Sequence, residues 1–302
     1  MTSHLRRSES ATSGLRRVLL QRLQASLRLL AAPSVGDETI HELRRNLKQC
    51  RAYLLLLRPV LGKPAWRREE AALETAARSL GILRDRRVLQ DTVDSLTAAD
   101  RVDPLFEAFA HAVRREAQSV ETELPGRITR QCRIQLTRSR GRLRALRLVR
   151  HNWSALGPSL RRSYRLARRA RADSLKSGGD EALHRWRRWS KYLWHQMELI
   201  EVAGPDIREG GARLRHLADL LGRYHDLVVL RERAKRSASL VQDPAGGTHF
   251  LALLDTALAT LRREAHERGA PLFAERPRDF AKRLRGDWRR WRQPQASSDS
   301  RR

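Results

Sequence analysis

The sequence predicts an all-α protein made of two homologous four-helix bundles, packed with pseudo-twofold symmetry around a basic groove. Three observations predict it. Apolar residues recur at three- and four-residue spacing nearly everywhere, alternating strand patterns and Asn-Gly hairpin turns are absent, and one helical segment occurs twice. The copies are GDETIHELRRNLK at residues 36–48 and GDEALHRWRRWSK at 179–191.

Proline and glycine set the element boundaries. AAPSVGD, LGKPAW, RVDP, ELPG, LGPS, SGGD, VAGPD, QDPAGG and RGAP divide the chain into about eight helices. The repeat orders them. Gly36, Asp37, Glu38, His41, Arg44, Arg45 and Lys48 match Gly179, Asp180, Glu181, His184, Arg187, Arg188 and Lys191. Downstream, LGILRDRRVL (80–89) aligns with LGRYHDLVVL (221–230). Later still, Arg140, Arg144, Arg147 and Trp153 align with Arg278, Lys282, Arg285 and Trp291. Three matches in one order place the bundles at 15–153 and 158–292 and leave 1–14 and 293–302 as disordered ends.

Charge narrows the partner. The 302 residues carry 62 Lys and Arg against 34 Asp and Glu, a net +28, where a soluble small domain usually carries roughly 2–8. Such a surface seeks anions: nucleic acid, an acidic membrane or a phosphate polymer. Only two cysteines occur, neither in a Cys-x-x-Cys pair, which argues against a disulfide scaffold or a cysteine zinc site. The N-terminus is polar and basic, and the longest apolar run is AYLLLL at 52–57. This excludes a usual signal peptide or spanning helix and favours the cytoplasm.

The charges are patterned. At 100° per residue, His41, Arg44, Arg45, Lys48 and Arg51 fall on one arc of their helix, beside an aliphatic arc of Ile40, Leu43, Leu47, Cys50, Leu54 and Leu57. In the second copy His184, Arg187, Arg188 and Lys191 stand against Leu183, Trp186, Leu193 and Met197. Cations about one 5.4 Å turn apart repel one another, so the arrangement wants a compensating anion. The alternative is an ordinary solvated face neutralised by Glu42 and other acids. Against it stands the stretch 127–171, with fifteen Arg and no Asp or Glu. There Ile128, Cys132, Leu136, Leu143 and Leu146 form one face, and Arg133, Arg140, Arg144, Arg147 and His151 another. Arg278, Lys282, Arg285 and Arg289 repeat the device. Arginine predominates, and its planar fork suits phosphate better than a lysine point charge.

His41 and His184 open their columns behind Asp37-Glu38 and Asp180-Glu181, whose aspartates are read as capping acids. Each histidine could ligate metal, donate to phosphate or be structural, but no His-x3-His or His/carboxylate cluster at zinc spacing occurs. Asp85 and Asp226 recur in the Leu-Gly elements and are read as orienting or neutralising a basic residue of the preceding helix in their own bundle. No phosphate-binding loop, no Gly-x-Ser-x-Gly elbow and no compact carboxylate group for Mg²⁺ is found, so no catalytic residue, cofactor or metal is assigned.

The two His-x-x-Arg-x-x-x-Lys helices, the Leu-Gly-x-x-(Arg/His)-Asp elements and the tandem halves resemble the conserved histidine α-helical domain family, CHAD, over about residues 15–292. The resemblance implies two four-helix bundles around a basic cavity that binds inorganic polyphosphate, with several members on polyphosphate granules. Many relatives are fused to a triphosphate tunnel domain, for which this chain has no room and whose Glu-x-Glu-x-Lys strand it lacks. By position, the family's binding residues fall on His41, Arg44, Lys48, Arg51, His184, Arg187 and Lys191. Gln49, Tyr192 and Trp194 stand where the family usually continues with basic residues, so the second copy is expected to grip phosphate less tightly or to pack Trp194 between the halves.

The leading expectation is a noncatalytic module gripping an extended polyphosphate. A nonspecific nucleic-acid binder is the alternative, weakened by an aromatic content of 5%. An enzyme or accessory subunit acting on polyphosphate is the third.

Overall fold

The computed structural model describes residues 4–81, 92, 94, 124–149, 152–236 and 244–293. Among these the regular structure is helical. The elements are α1 (Ala11–Leu29), α2 (Asp37–Leu61), α3 (Lys63–Ser79), α4 (Gly126–Ala145), α5 (Trp153–Ser177), α6 (Asp180–Ile200), α7 (Pro205–Ala234), α8 (Pro244–Leu272) and α9 (Pro277–Arg292). A short 3₁₀ turn, Glu201–Ala203, joins α6 to α7. The described second half therefore holds five helices, one more than the sequence pattern predicts.

Local chemistry explains the boundaries. Ser10 caps α1 by accepting the Ser13 amide at 3.2 Å. Gly62, between α2 and α3, and Gly178, after α5, adopt φ of +74° and +61°, where a Cβ would be strained. Prolines stand in the first turn of α3, α7 and α9, where their missing N–H has no intrahelical partner to lose. The break expected at LGPS does not occur, because α5 runs through Pro158. That proline removes one bond, to the carbonyl of Ser154, which is exposed at the helix start and can be hydrated.

Helices α1 to α4 pack in a closed order, α1 on α2, α2 on α3, α3 on α4 and α4 back on α1. In the second half α5 packs on α6, α6 on α7, α7 on α8, and α9 on α5. Helix α2 also lies on both α5 and α6, which joins the halves. The predicted aliphatic arcs are the core: Leu43, Leu47, Cys50, Leu54, Leu57, Trp186 and Leu193 are each wholly buried. Cys50 is a free thiol whose burial pushes its pKa up to about 12, as expected of a reduced core cysteine.

The described chain is ordered earlier than residue 15. Leu5 is buried, and its amide donates to the Leu199 carbonyl at 3.2 Å. Arg17 reaches back to the His4 carbonyl and to Glu9. Residues 4–10 are thus an arm held against α6, because a single leucine anchor and backbone hydrogen bonds offset the ordering of a polar segment.

Candidate anion-binding site

The columns of α2 and α6 meet in one groove. A cavity of about 360 Å³ is lined by His41, Arg44, Arg45 and Lys48 from α2, Arg187, Lys191, Trp194 and His195 from α6, and Asp219, Gly222, Arg223 and Asp226 from α7. Among the described residues six arginines and lysines face it against two aspartates. The copies also match in exposure: His41 and His184 are exposed, Arg44 and Arg187 half-buried, Arg45 and Arg188 exposed, Lys48 and Lys191 half-buried.

Why these side chains are held there is visible in what surrounds them. Arg44 donates from Nη1 to the Ala77 carbonyl at 3.1 Å, placing its charge at the C-terminal end of α3, where the helix dipole favours a cation. Gly81 follows closely, and a Cβ on it would lie 3.8 Å from Arg44 Nη1. In the second half a Cβ on Gly222 would lie 3.8 Å from Arg187 Nε. The Leu-Gly elements thus lay a bare helix surface beneath each arginine.

Glu42 takes only Arg45, at 3.2 Å and in water, a pair of the kind worth about 0–1 kcal/mol. Asp37 and Asp180 stand in the first turn of their helices, where a carboxylate favours the positive helix end, while the N-cap positions are Gly36 and Gly179. Asp180 also accepts from Tyr224 at 2.5 Å and Arg231 at 2.6 Å, fastening α6 to α7. Asp226 lines the groove, whereas Asp85 lies outside the described residues.

Beneath the cations sits a pair that the sequence pattern passed over, a buried His195 and a half-buried Glu198. His195 Nδ1 is 3.2 Å from Glu198 Oε2, and Gln49 of α2 reaches the same carboxylate oxygen at 3.4 Å. Burial lowers the His195 pKa, Glu198 opposes this, and Lys191 and Lys48 reinforce it. Lysines from both copies therefore act on one imidazole. Trp194 stacks on His195 at 4.3 Å and lies under Arg215 at 5.8 Å. The His184 ring packs on His225 at 4.7 Å outside the groove lining, its pKa lowered by burial and then by Arg187 and Arg188.

Other predicted residues lie elsewhere. Arg51 is held by Glu70 at 2.7 Å and Glu74 at 3.9 Å, with its guanidinium 6.0 Å from the Tyr192 ring. Tyr192 is buried there, so it is the tyrosine that fills the seam, while Trp194 lines the groove. Arg188 lies over Trp189 at 5.9 Å. Arg133, Arg144 and Arg147 are exposed along α4 and just past it, and Arg278, Lys282 and Arg285 are exposed on α9; none of the six lines the groove. Arg140 lines a different cavity, between α1 and α4. The acid-free stretch also finds one acid on another helix: Glu69 of α3, itself buried, accepts Arg142 at 2.7 Å and Ser139 at 2.7 Å. Arg223 was missed because its counterpart in the first Leu-Gly element is Ile82, so no repeat marked it. Among the described residues no three His, Cys, Asp or Glu side chains gather to hold a metal ion, and no helix is long and apolar enough to cross a membrane.

The fold is all-helical, and its α2 and α6 helices turn arginines and lysines into one groove, which places the chain among helical-bundle domains with a basic cleft. The sequence model of the CHAD domain matches residues 17–235, and the chain belongs to that family. The fold is similar to the crystal structure of the CHAD domain from the plant Ricinus communis, with a TM-score of 0.58 and 17% identity, over 97% of this chain and 96% of that one. No curated protein sequence matches the chain.

Proposed function

We propose that the groove binds inorganic polyphosphate without catalysing a reaction on it. The observation that supports this best is that Arg44 and Lys48 of one helix face the same cavity as Arg187 and Lys191 of another. An extended chain lying there meets guanidinium forks and ammonium groups from both sides, through charge-assisted hydrogen bonds. The halves 15–153 and 158–292 are read as repeats of one unit, on the ground of the matched motifs and the similar order of helix contacts. Cytoplasmic polyphosphate granules are the location this reading expects.

A nucleic acid is the less favoured ligand. Base recognition by single strands uses aromatic platforms, and Trp194 is already stacked on His195 and approached by Arg215. Competition between DNA and polyphosphate separates the two: DNA winning at equal phosphate concentration overturns the proposal.

The direct test is Arg44→Ala combined with Arg187→Ala. Two charge-assisted contacts at roughly 1.5–3 kcal/mol each make a loss of at least about tenfold the expected outcome for long-chain polyphosphate. Helicity by circular dichroism should be unchanged. Identical titration curves for variant and wild type reject the assignment, and phosphate release by the purified protein with Mg²⁺ would show catalysis.

A further inference from the structure

The face of the molecule formed by α1 and α4 carries a second cationic cavity. Its volume is about 380 Å³, and its lining is Arg16, Arg17, Arg28 and Arg140 with Ser13, Gln21 and Gln24 over an apolar floor of Leu20 and Ala25. No acid lines it. Among the described residues it shares none with the groove between α2, α6 and α7.

Its arginines divide into two kinds. Arg16 donates to the Leu146 carbonyl at 2.7 Å, and Arg17 is tied to Glu9 and the His4 carbonyl. These two are braced by the protein and hold the walls. Arg28 and Arg140 have no hydrogen-bond or ion-pair partner among the described residues, and Arg140 Nε is screened from solvent with no acceptor. A shielded guanidinium N–H that lacks an acceptor is costly, and fold stability does not explain keeping it. An oligophosphate supplies the missing acceptors: several oxygens for the two guanidinium forks, with the Gln21 and Gln24 amides and the Ser13 hydroxyl as neutral donors around them.

We infer that the α1/α4 cavity is a second oligophosphate site, engaged through Arg28 and Arg140. The inference shares its ligand chemistry with the groove reading but stands on different residues, so each can fail alone. A short phosphate chain occupies each site separately. Calorimetric titration with tripolyphosphate at physiological ionic strength reads this as stoichiometry, expected at two per chain for the wild type.

Arg28→Gln combined with Arg140→Gln should bring the stoichiometry to one, and Arg44→Ala with Arg187→Ala should also leave one. Arg28 is exposed, so Arg28→Gln alone cannot unfold the protein, and it should weaken the second site several-fold. A single wild-type site that survives the Gln variants and disappears with Arg44→Ala and Arg187→Ala overturns this inference and leaves the groove intact. Loss of all binding in the Gln pair, with the groove variant binding like wild type, supports the α1/α4 site and removes the groove.

Discussion

Arg187 of α6 rests against Gly222 of α7, 3.8 Å from the point where a Cβ on that glycine would stand. Contact at that distance is ordinary packing, so an alanine fits and a branched side chain does not. Gly222→Ala should leave polyphosphate affinity within about twofold and raise stability by about 0.5–1 kcal/mol, since glycine is the poorer helix former. Gly222→Leu should push Arg187 out of the groove and weaken binding several-fold, measured by titration beside thermal melting.

Gly269 behaves in the opposite way. A Cβ there would lie 2.5 Å from the Trp186 ring, which is wholly buried and stacked on His266 at 5.1 Å. The tryptophan has nowhere to move in a close-packed core. Gly269→Ala is expected to cost about 1–3 kcal/mol in chemical denaturation, with little effect on ligand binding in the folded protein.

Helical periodicity told which arcs of α2 and α6 go inside, because a stripe of aliphatic residues can be buried in only one way. It also told that His41, Arg44, Arg45 and Lys48 share a face. Where two helices meet is a tertiary fact, and for that reason Arg51 looked like the continuation of the column when Glu70 and Glu74 of α3 occupy it. The same blindness grouped Arg140 with the groove. His195 hid in plain sight: it sits among apolar core positions, and only the approach of Gln49 to Glu198 reveals it as part of a polar cluster between the halves.

Glu69 tests how the basic stretch is anchored. Its carboxylate is 1% exposed and accepts from Arg142, Ser139 and Arg68. Burial raises its pKa, but those hydrogen bonds, Arg142 first, outweigh it and leave the pKa below the ordinary value of 4.5. The stabilisation is therefore present above pH 4.5 and is lost as pH falls through the lowered value. Glu69→Gln should destabilise by about 1–3 kcal/mol at neutral pH, because Arg142 keeps partial access to water and is not stranded. The denaturant midpoint reports it, and an unchanged midpoint shows that α4 is held without this contact.

Acid should act on stability and binding in opposite directions. His195 has its pKa lowered from 6.5 by burial and by Lys191 and Lys48, with Glu198 opposing, and His184 by burial and by Arg187 and Arg188. The fold favours both neutral imidazoles, so their contribution is complete above the unfolded value of 6.5 and is lost as pH falls through the lowered folded values. The melting temperature of the unliganded protein should drop over that window, and less so in His195→Gln. A polyphosphate lying beside Lys48 and Lys191 reverses the local field, raises the imidazole pKa and takes up protons on binding. Affinity should therefore rise as pH falls below 6.5, by up to about tenfold for each unit of pKa that the ligand restores. His195→Gln should flatten that rise while keeping the affinity at pH 8. A variant as pH-dependent as the wild type would mean that the charge on the ligand is not felt at His195, and that the chain crosses the groove away from the two lysines.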